Sequence, residues 1–191
     1  ILVINQGVDE DFRQRLERLA EQYDDQLFVW HHVPPLLSLS ATWNLGLRFV
    51  WATGGDVALV VNNDVRLHPE MIEMLVQVQQ QTEAYFVSAV GVREEQFDPS
   101  APIDLDLLNL DHGGPDFSCF LLSRVGHDAY PFDENFMPAF CEDLDTHRRY
   151  LLGGDGSRIF SVNLPYFHVG SQTLKSMDPT ARRRLEQQID T

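Results

Sequence analysis

Basic charge is what this chain of 191 residues has least of. Lys and Arg number 14 against 29 Asp and Glu, a formal net charge of −15, and Lys175 is the single lysine. A nucleic acid is a polyanion whose binders present a basic face, so that class of partner is disfavoured, and adhesion to an anionic membrane surface with it. The acidity itself fits a solvated, self-repelling surface and also fits metal binding. Cysteine is scarcer still. Cys119 and Cys141 form no CxxC and no disulfide framework, which predicts a reducing compartment and a cytoplasmic location. No apolar run approaches the roughly 20 residues of a membrane helix. Ile1-Leu2-Val3-Ile4 lacks the basic flank and the length of a signal peptide, and a first residue other than Met predicts a start that lies upstream or was removed by processing. Glycine is missing where it would cradle phosphate: there is no GxGxxG and no GxxxxGK[ST]. Gly153-Gly154-Asp155-Gly156 follows a helix candidate and reads as a turn. GxSxG and HExxH are absent too, which argues against nucleophile-elbow hydrolases and zincin proteases.

What is present is the patterning of a globular α/β chain, read as one domain over 1–191. Hydrophobic residues make up 43%, and at this length roughly two thirds of the extended-chain surface can be buried without a disulfide or metal staple. Ile1-Leu2-Val3-Ile4 is a short β-branched run, and Phe12, Leu16, Leu19 and Tyr23 then recur on one helical face with Asp9 as its cap. Residues 27–30 form a second strand and His31-His32-Val33-Pro34-Pro35 a loop. Trp43, Leu47, Val50 and Trp51 line a second helix that starts at Ser40 and stops at Gly54-Gly55. Residues 57–61 are the most hydrophobic strand; Pro69 opens a third helix with Met71, Met74, Leu75 and Val78 inward, and 85–90 is a fourth strand. Residues 1–92 thus read β-α-β-α-β-α-β, which predicts a mostly parallel sheet flanked by helices, with ligands at the carboxyl ends of its strands. Beyond it, 94–114 reads as a long loop, 117–122 and 159–162 as strands, 142–152 as a helix, and Asp178-Pro179 as the cap of a last helix carrying Arg182-Arg183-Arg184.

Three polar groups have the context for chemistry. Asn62-Asn63-Asp64 ends the most buried strand, where a carboxylate holds a hard cation such as Mg²⁺ or Mn²⁺ beside a diphosphate, or else caps the next helix. Glu142, Asp143 and Asp145 open a helix whose dipole favours acids; three exceed what capping needs, and Phe136, Phe140 and Cys141 before them make a partly apolar wall. A carboxylate in that setting serves as general base toward a hydroxyl. His168 follows an apolar strand and two aromatics, as a core histidine or as a ligand.

Taken in order, these stretches resemble nucleotide-sugar glycosyltransferases of the GT-A fold, in particular the large family 2. Ile1-Leu2-Val3-Ile4-Asn5 is similar to the family's first strand, Ser40-Ala41-Thr42-Trp43-Asn44-Leu45-Gly46-Leu47 to its Asn-x-Gly helix, and Val60-Val61-Asn62-Asn63-Asp64-Val65 to its Asp-x-Asp motif in a rhamnosyltransferase-like Asn-Asn-Asp form. Phe132-Asp133-Glu134-Asn135-Phe136 with Glu142-Asp143-Leu144-Asp145 and Arg148 resembles its FDE…ED-x-D…R block, and Pro165-Tyr166-Phe167-His168-Val169-Gly170-Ser171 its late His segment. The resemblance implies a Rossmann-like, single-domain GT-A fold with a nucleotide-sugar half at 1–92, an acceptor and catalytic half at 93–175 and a C-terminal helix at 176–191. It implies hexosyl or deoxyhexosyl transfer, with inversion, from a UDP- or dTDP-sugar to an acceptor hydroxyl. Asp64 would hold Mn²⁺ or Mg²⁺ with His168 as second ligand, and Asp143 would be the base with Glu142 behind it. Asn5, Gly7, Trp30, Asn44, Asn62 and Asn63 would surround the donor. Two positions depart from the pattern: Trp30-His31-His32 stands where the family has an Asp, and Asn62 removes one charge from the metal site. A binding module without catalysis and a metal-dependent phosphohydrolase are the competing readings.

Overall fold

The computed structural model describes residues 1–7, 9–104, 108–111, 114–137, 139 and 141–169. Strand β1 (Leu2–Asn5) leads into helix α1 (Glu10–Tyr23), where the Asp9 carboxylate accepts from Phe12 N at 2.8 Å, the cap that the sequence predicts. A 3₁₀ turn precedes β2 (Phe28–His31). Helix α2 (Leu39–Ala52) starts one residue before the expected Ser40, because the Ser38 hydroxyl accepts from Ala41 N at 3.1 Å and sets the first turn. It ends at Gly54, whose φ of +90° suits a residue without Cβ. Then follow β3 (Val57–Val61), β4 (Val65–Arg66), α3 (Met71–Thr82), β5 (Phe86–Val92), β6 (Leu110–Asp111), β7 (Cys119–Ser123), α4 (Arg124–Ala129), α5 (Glu142–Gly153) and β8 (Ile159–His168).

The architecture is mixed α/β, a central sheet flanked by helices. Its order is β3-β7-β5-β8-β4, with β6 also on β8, while β1 and β2 pair in parallel as a separate ribbon. β3, β5 and β8 run one way; β7, β4 and β6 run the other. Parallel pairing therefore does not dominate as the sequence pattern predicts. The antiparallel β7, from the second half, lies between β3 and β5, which are consecutive in the helical pattern but not neighbours in space. Both sequence halves contribute strands to this sheet.

Alternation along the strands sorts the core into two faces. On one, Met71, Met74, Leu75 and Val78 of α3 pack on Val87, Ala89, Cys119, Leu121, Val162 and Leu164. On the other, Trp43, Leu47 and Trp51 of α2 and Tyr150 of α5 pack on Ala58, Phe86, Phe120, Leu122 and Ile159. Full burial pushes the Cys119 thiol up to about 12, so it packs as a small apolar group and has no nucleophilic role at neutral pH.

Three short elements, β4, β6 and α4, have no periodicity to announce them. β8 runs on to His168 through Pro165, tolerated where its register with β5 shifts between Ser88 and Val90. Residues 94–114, expected as loop throughout, carry a 3₁₀ turn (Glu94–Gln96) and β6. Phe140, the Gly170-Ser171 end of the late His segment and the expected helix at 176–191 lie outside the described residues. Among the described residues no helix is long and apolar enough to cross a membrane.

Candidate functional site

The chain leaves β3 at Val61 on one edge of the sheet and re-enters as β4 on the other, so Asn62-Asn63-Asp64 crosses the end where β3, β5 and β8 all finish. Two backbone bonds pin the crossing: Asn62 N donates to Ser118 O at 2.9 Å, and Val169 N donates to Asp64 O at 3.0 Å. Val65 pairs with His168 in the β4–β8 ladder. The result is that Asp64 Oδ1 lies 3.2 Å from His168 Nε2, the two side chains 19% and 25% exposed. Neither the strand pattern nor the local sequence around either residue requires this meeting; the ladder makes it.

These two donors suit a divalent cation as part of its shell. Ligands at right angles on a cation with bonds of about 2.1 Å sit about 3.0 Å apart, close to the 3.2 Å observed. Among the described residues no group of three or more His, Cys, Asp or Glu converges on one point. From the described residues a cation here would have one carboxylate and one imidazole, and the imidazole tilts such a set from Mg²⁺ toward Mn²⁺.

A second group sits at the carboxyl ends of β1 and β2. Asn5 is 7% exposed. Its Nδ2 donates to His31 Nδ1 at 3.1 Å, and its Oδ1 accepts from Gly7 N at 2.9 Å. With Nδ1 accepting, the neutral His31 ring carries its proton on Nε2, which faces Glu17 Oε1 at 3.7 Å. At Gly7 a Cβ would meet Asn5 Oδ1 at 3.1 Å, a tight contact from which the amide would have to shift. Trp30, beside His31, is 41% exposed. Gln6 then ties this end to α2, donating to Thr42 Oγ1 at 2.8 Å and accepting from Leu37 N at 2.7 Å.

Asn44, expected near the donor, is instead taken up by the fold. It is 2% exposed. Its Oδ1 accepts from Phe132 N at 3.1 Å and faces His127 Nε2 at 2.9 Å; its Nδ2 donates to Phe132 O at 2.8 Å and Glu134 Oε1 at 2.9 Å. The Asn44 amide, helped by Arg48 at 3.2 Å, holds the Glu134 carboxyl below the usual carboxylate range. On the far side Trp51 Nε1 donates to His127 Nδ1 at 3.0 Å, so the ring proton lies on Nε2 and goes to Asn44. This lock anchors the Phe132–Glu134 stretch on α2, and Ser38 Oγ donating to Glu134 O at 3.3 Å adds to it.

The stretch leads on to α5. Cys141 there has φ +67°, left-handed backbone that a non-glycine residue rarely adopts and that clusters at functional sites. Of the three acids that follow, Asp145 is paired with Arg149 at 2.7 Å, and Arg149 is itself tied to Pro131 O at 2.8 Å. Asp143, half-buried, accepts from Leu144 N at 2.7 Å with one oxygen, and Glu142 is buried. The Arg149 pair thus sets Asp145 apart from Asp143 and Glu142, the two residues that the resemblance implies as base. A chain of contacts joins the crossing and the ribbon end around the first turns of α2: Asn62 to Ser118, Phe117 stacked on Trp43 at 6.3 Å, and Gln6 on Thr42. Asn62 is half-buried and Asn63 exposed at the crossing.

One residue of this end was not legible in the sequence. Asp116 accepts from Ser118 N at 2.9 Å with one oxygen and from Gly91 N at 3.2 Å with the other. Burial and the neighbouring Asp116 carboxylate push the Tyr166 hydroxyl well up. Gly91 is the local signal, since a Cβ there would lie 3.1 Å from Asp116 Oδ2, but a lone glycine in a strand names no partner.

No family model matches this chain, and no curated protein matches it. Among solved structures it is similar to a glycosyltransferase involved in the glycosylation of the major capsid of PBCV-1, at 10% identity and a TM-score of 0.47, over 98% of this chain and 97% of that one.

Proposed function

We propose that the protein is a metal-dependent glycosyltransferase that moves a hexosyl or deoxyhexosyl group, with inversion, from a UDP- or dTDP-sugar to an acceptor hydroxyl. The observation that carries the reading is the meeting of Asp64 and His168 at 3.2 Å where three strands finish, a carboxylate–imidazole pair drawn from positions 64 and 168 of the chain. Asp64 and His168 would hold Mn²⁺ or Mg²⁺, which when bound offsets charge on the diphosphate. Asn62 and Asn63 line the crossing, and Asn5, Gly7 and Trp30 line the ribbon end where a base or ribose has amide, imidazole and indole groups to meet. Asp143 accepts the acceptor's proton as its oxygen attacks the anomeric carbon, and Glu142 is the second candidate.

The test is a thermal-shift panel of nucleotides and nucleotide sugars with and without Mn²⁺. A ligand at 100 times its dissociation constant stabilises by about 2.7 kcal/mol. The expected result is a Mn²⁺-dependent shift with a UDP- or dTDP-sugar that Asp64→Asn and His168→Ala abolish. No shift with any nucleotide would refute the donor assignment; equal consumption of the sugar nucleotide with and without acceptors would point to hydrolysis in place of transfer.

A further inference from the structure

We infer that Arg66 is a ligand for the donor's diphosphate, held in reserve by Glu94; the inference rests on the reading of Asp64 and His168 as the diphosphate end of the site. Arg66 lies on β4 two residues after Asp64, so their Cα atoms are at most about 7 Å apart, within the reach of an arginine side chain. In the ladder it pairs with Phe167, so strand alternation sets it on the face opposite Val65 and His168, and it reaches the site around the outer edge of β4. Its Cζ lies 4.5 Å over the Phe167 ring, and Phe97 packs on the same ring at 6.5 Å. Its Nη2 donates to Glu94 Oε1 at 2.8 Å, in a pair whose side chains are 58% and 72% exposed.

The guanidinium is therefore seated on an aromatic face and loosely occupied by a solvent-exposed carboxylate. Such pairs hold weakly, whereas a diphosphate offers several charged oxygens in the geometry that matches a guanidinium fork. Charge balance at the crossing calls for such a group. A sugar nucleotide brings two negative charges beside the one on Asp64. As the acceptor oxygen bonds to the anomeric carbon, the electron pair of the breaking bond stays on the terminal phosphate oxygen as a third charge, and the acceptor's proton goes to the base. A divalent cation offsets two charges, and a guanidinium two residues from Asp64 meets part of the remainder, most strongly as the leaving group departs. Glu94 competes for the same cation when no donor is present.

The experiment measures binding of UDP and dTDP, whichever stabilises the wild type more, and of the matching nucleoside monophosphate, all with Mn²⁺, on wild type, Arg66→Gln, Arg66→Lys and Glu94→Gln. Loss of a charged hydrogen-bond donor predicts diphosphate binding about ten- to a hundredfold weaker in Arg66→Gln, less so in Arg66→Lys, with the monophosphate little changed. Removal of the competing carboxylate predicts binding about two- to fivefold tighter in Glu94→Gln. Both side chains are exposed, so the ligand-free melting temperatures stay near wild type, and Glu94→Gln reads the competition with Arg66 intact. Diphosphate affinity within twofold of wild type in Arg66→Gln, or weakened in Glu94→Gln, overturns the inference. Failure of every diphosphate to bind the wild type overturns the underlying donor reading as well.

Discussion

Replacing Asn44 by Ala tests whether this residue locks the fold or contacts a ligand. The truncation removes an amide that is 2% exposed and leaves three buried partners without a bond: the Phe132 N–H, the Phe132 carbonyl and the His127 ring N–H. Glu134, being partly exposed, turns to water and Arg48. Each orphaned buried group costs about 1–3 kcal/mol, and because water can enter the space left by the amide the lower end applies, for a total of about 3–5 kcal/mol. Against the roughly 5–15 kcal/mol of a typical domain this is a large loss, and at about 2–4 °C per kcal/mol it lowers the melting temperature by about 6–20 °C. Urea unfolding should show a lower midpoint with an unchanged slope. Asn44→Asp is the sharper variant: it keeps the acceptor side, loses both donated bonds and sets a carboxylate beside Glu134, so it too destabilises. A loss below about 1 kcal/mol in Asn44→Ala, accompanied by loss of nucleotide binding, would refute the lock and restore Asn44 to the donor site.

Three further outcomes follow from the geometry. Burial, with a smaller push from Arg48 against the pull of Asp128, holds His127 below its ordinary value; above about pH 6.5 the ring is neutral in folded and unfolded chains alike, and as pH falls below that the unfolded chain takes up a proton that the folded one refuses, so stability drops until the folded value is passed. Urea midpoints between pH 7.5 and 5 should therefore fall more steeply for wild type than for His127→Gln, and parallel curves would contradict the buried neutral ring. Gly126→Ala places a Cβ 2.7 Å from Tyr85 Cβ and 3.0 Å from Tyr85 O, the carbonyl that accepts from Ser123 N; it should lose about 1–3 kcal/mol by thermal melting, whereas Gly114→Ala, with none of the described residues within 4 Å of its Cβ, serves as the neutral control. Asp143→Asn should lower sugar transfer by about 10²–10⁴ while nucleotide-induced thermal shifts stay at the wild-type size, and transfer at the wild-type rate would hand the base role to Glu142.

The sequence by itself determined the elements whose cause is local. Apolar residues at helical spacing produced α1, α2 and α3, β-branched runs produced β1 and β3, and Asp9 and Gly54 mark ends because a side-chain acceptor and a missing Cβ act within one turn. It also determined that Asp64 lies just beyond the end of a strand and that Glu142 and Asp143 open a helix. The tertiary structure decided everything that depends on which strands become neighbours. Pairing energy lies in ladders between segments far apart in the chain, and β4, β6 and the antiparallel place of β7 exist only because β8 and β3 offer edges to them. For the same reason Asn44 could be read as a site residue from its helix motif, since its partners at 127, 132 and 134 come from other elements. It is likewise the β4–β8 ladder, not any motif, that brings the Asp64 carboxylate to the His168 imidazole and seats Arg66 on Phe167.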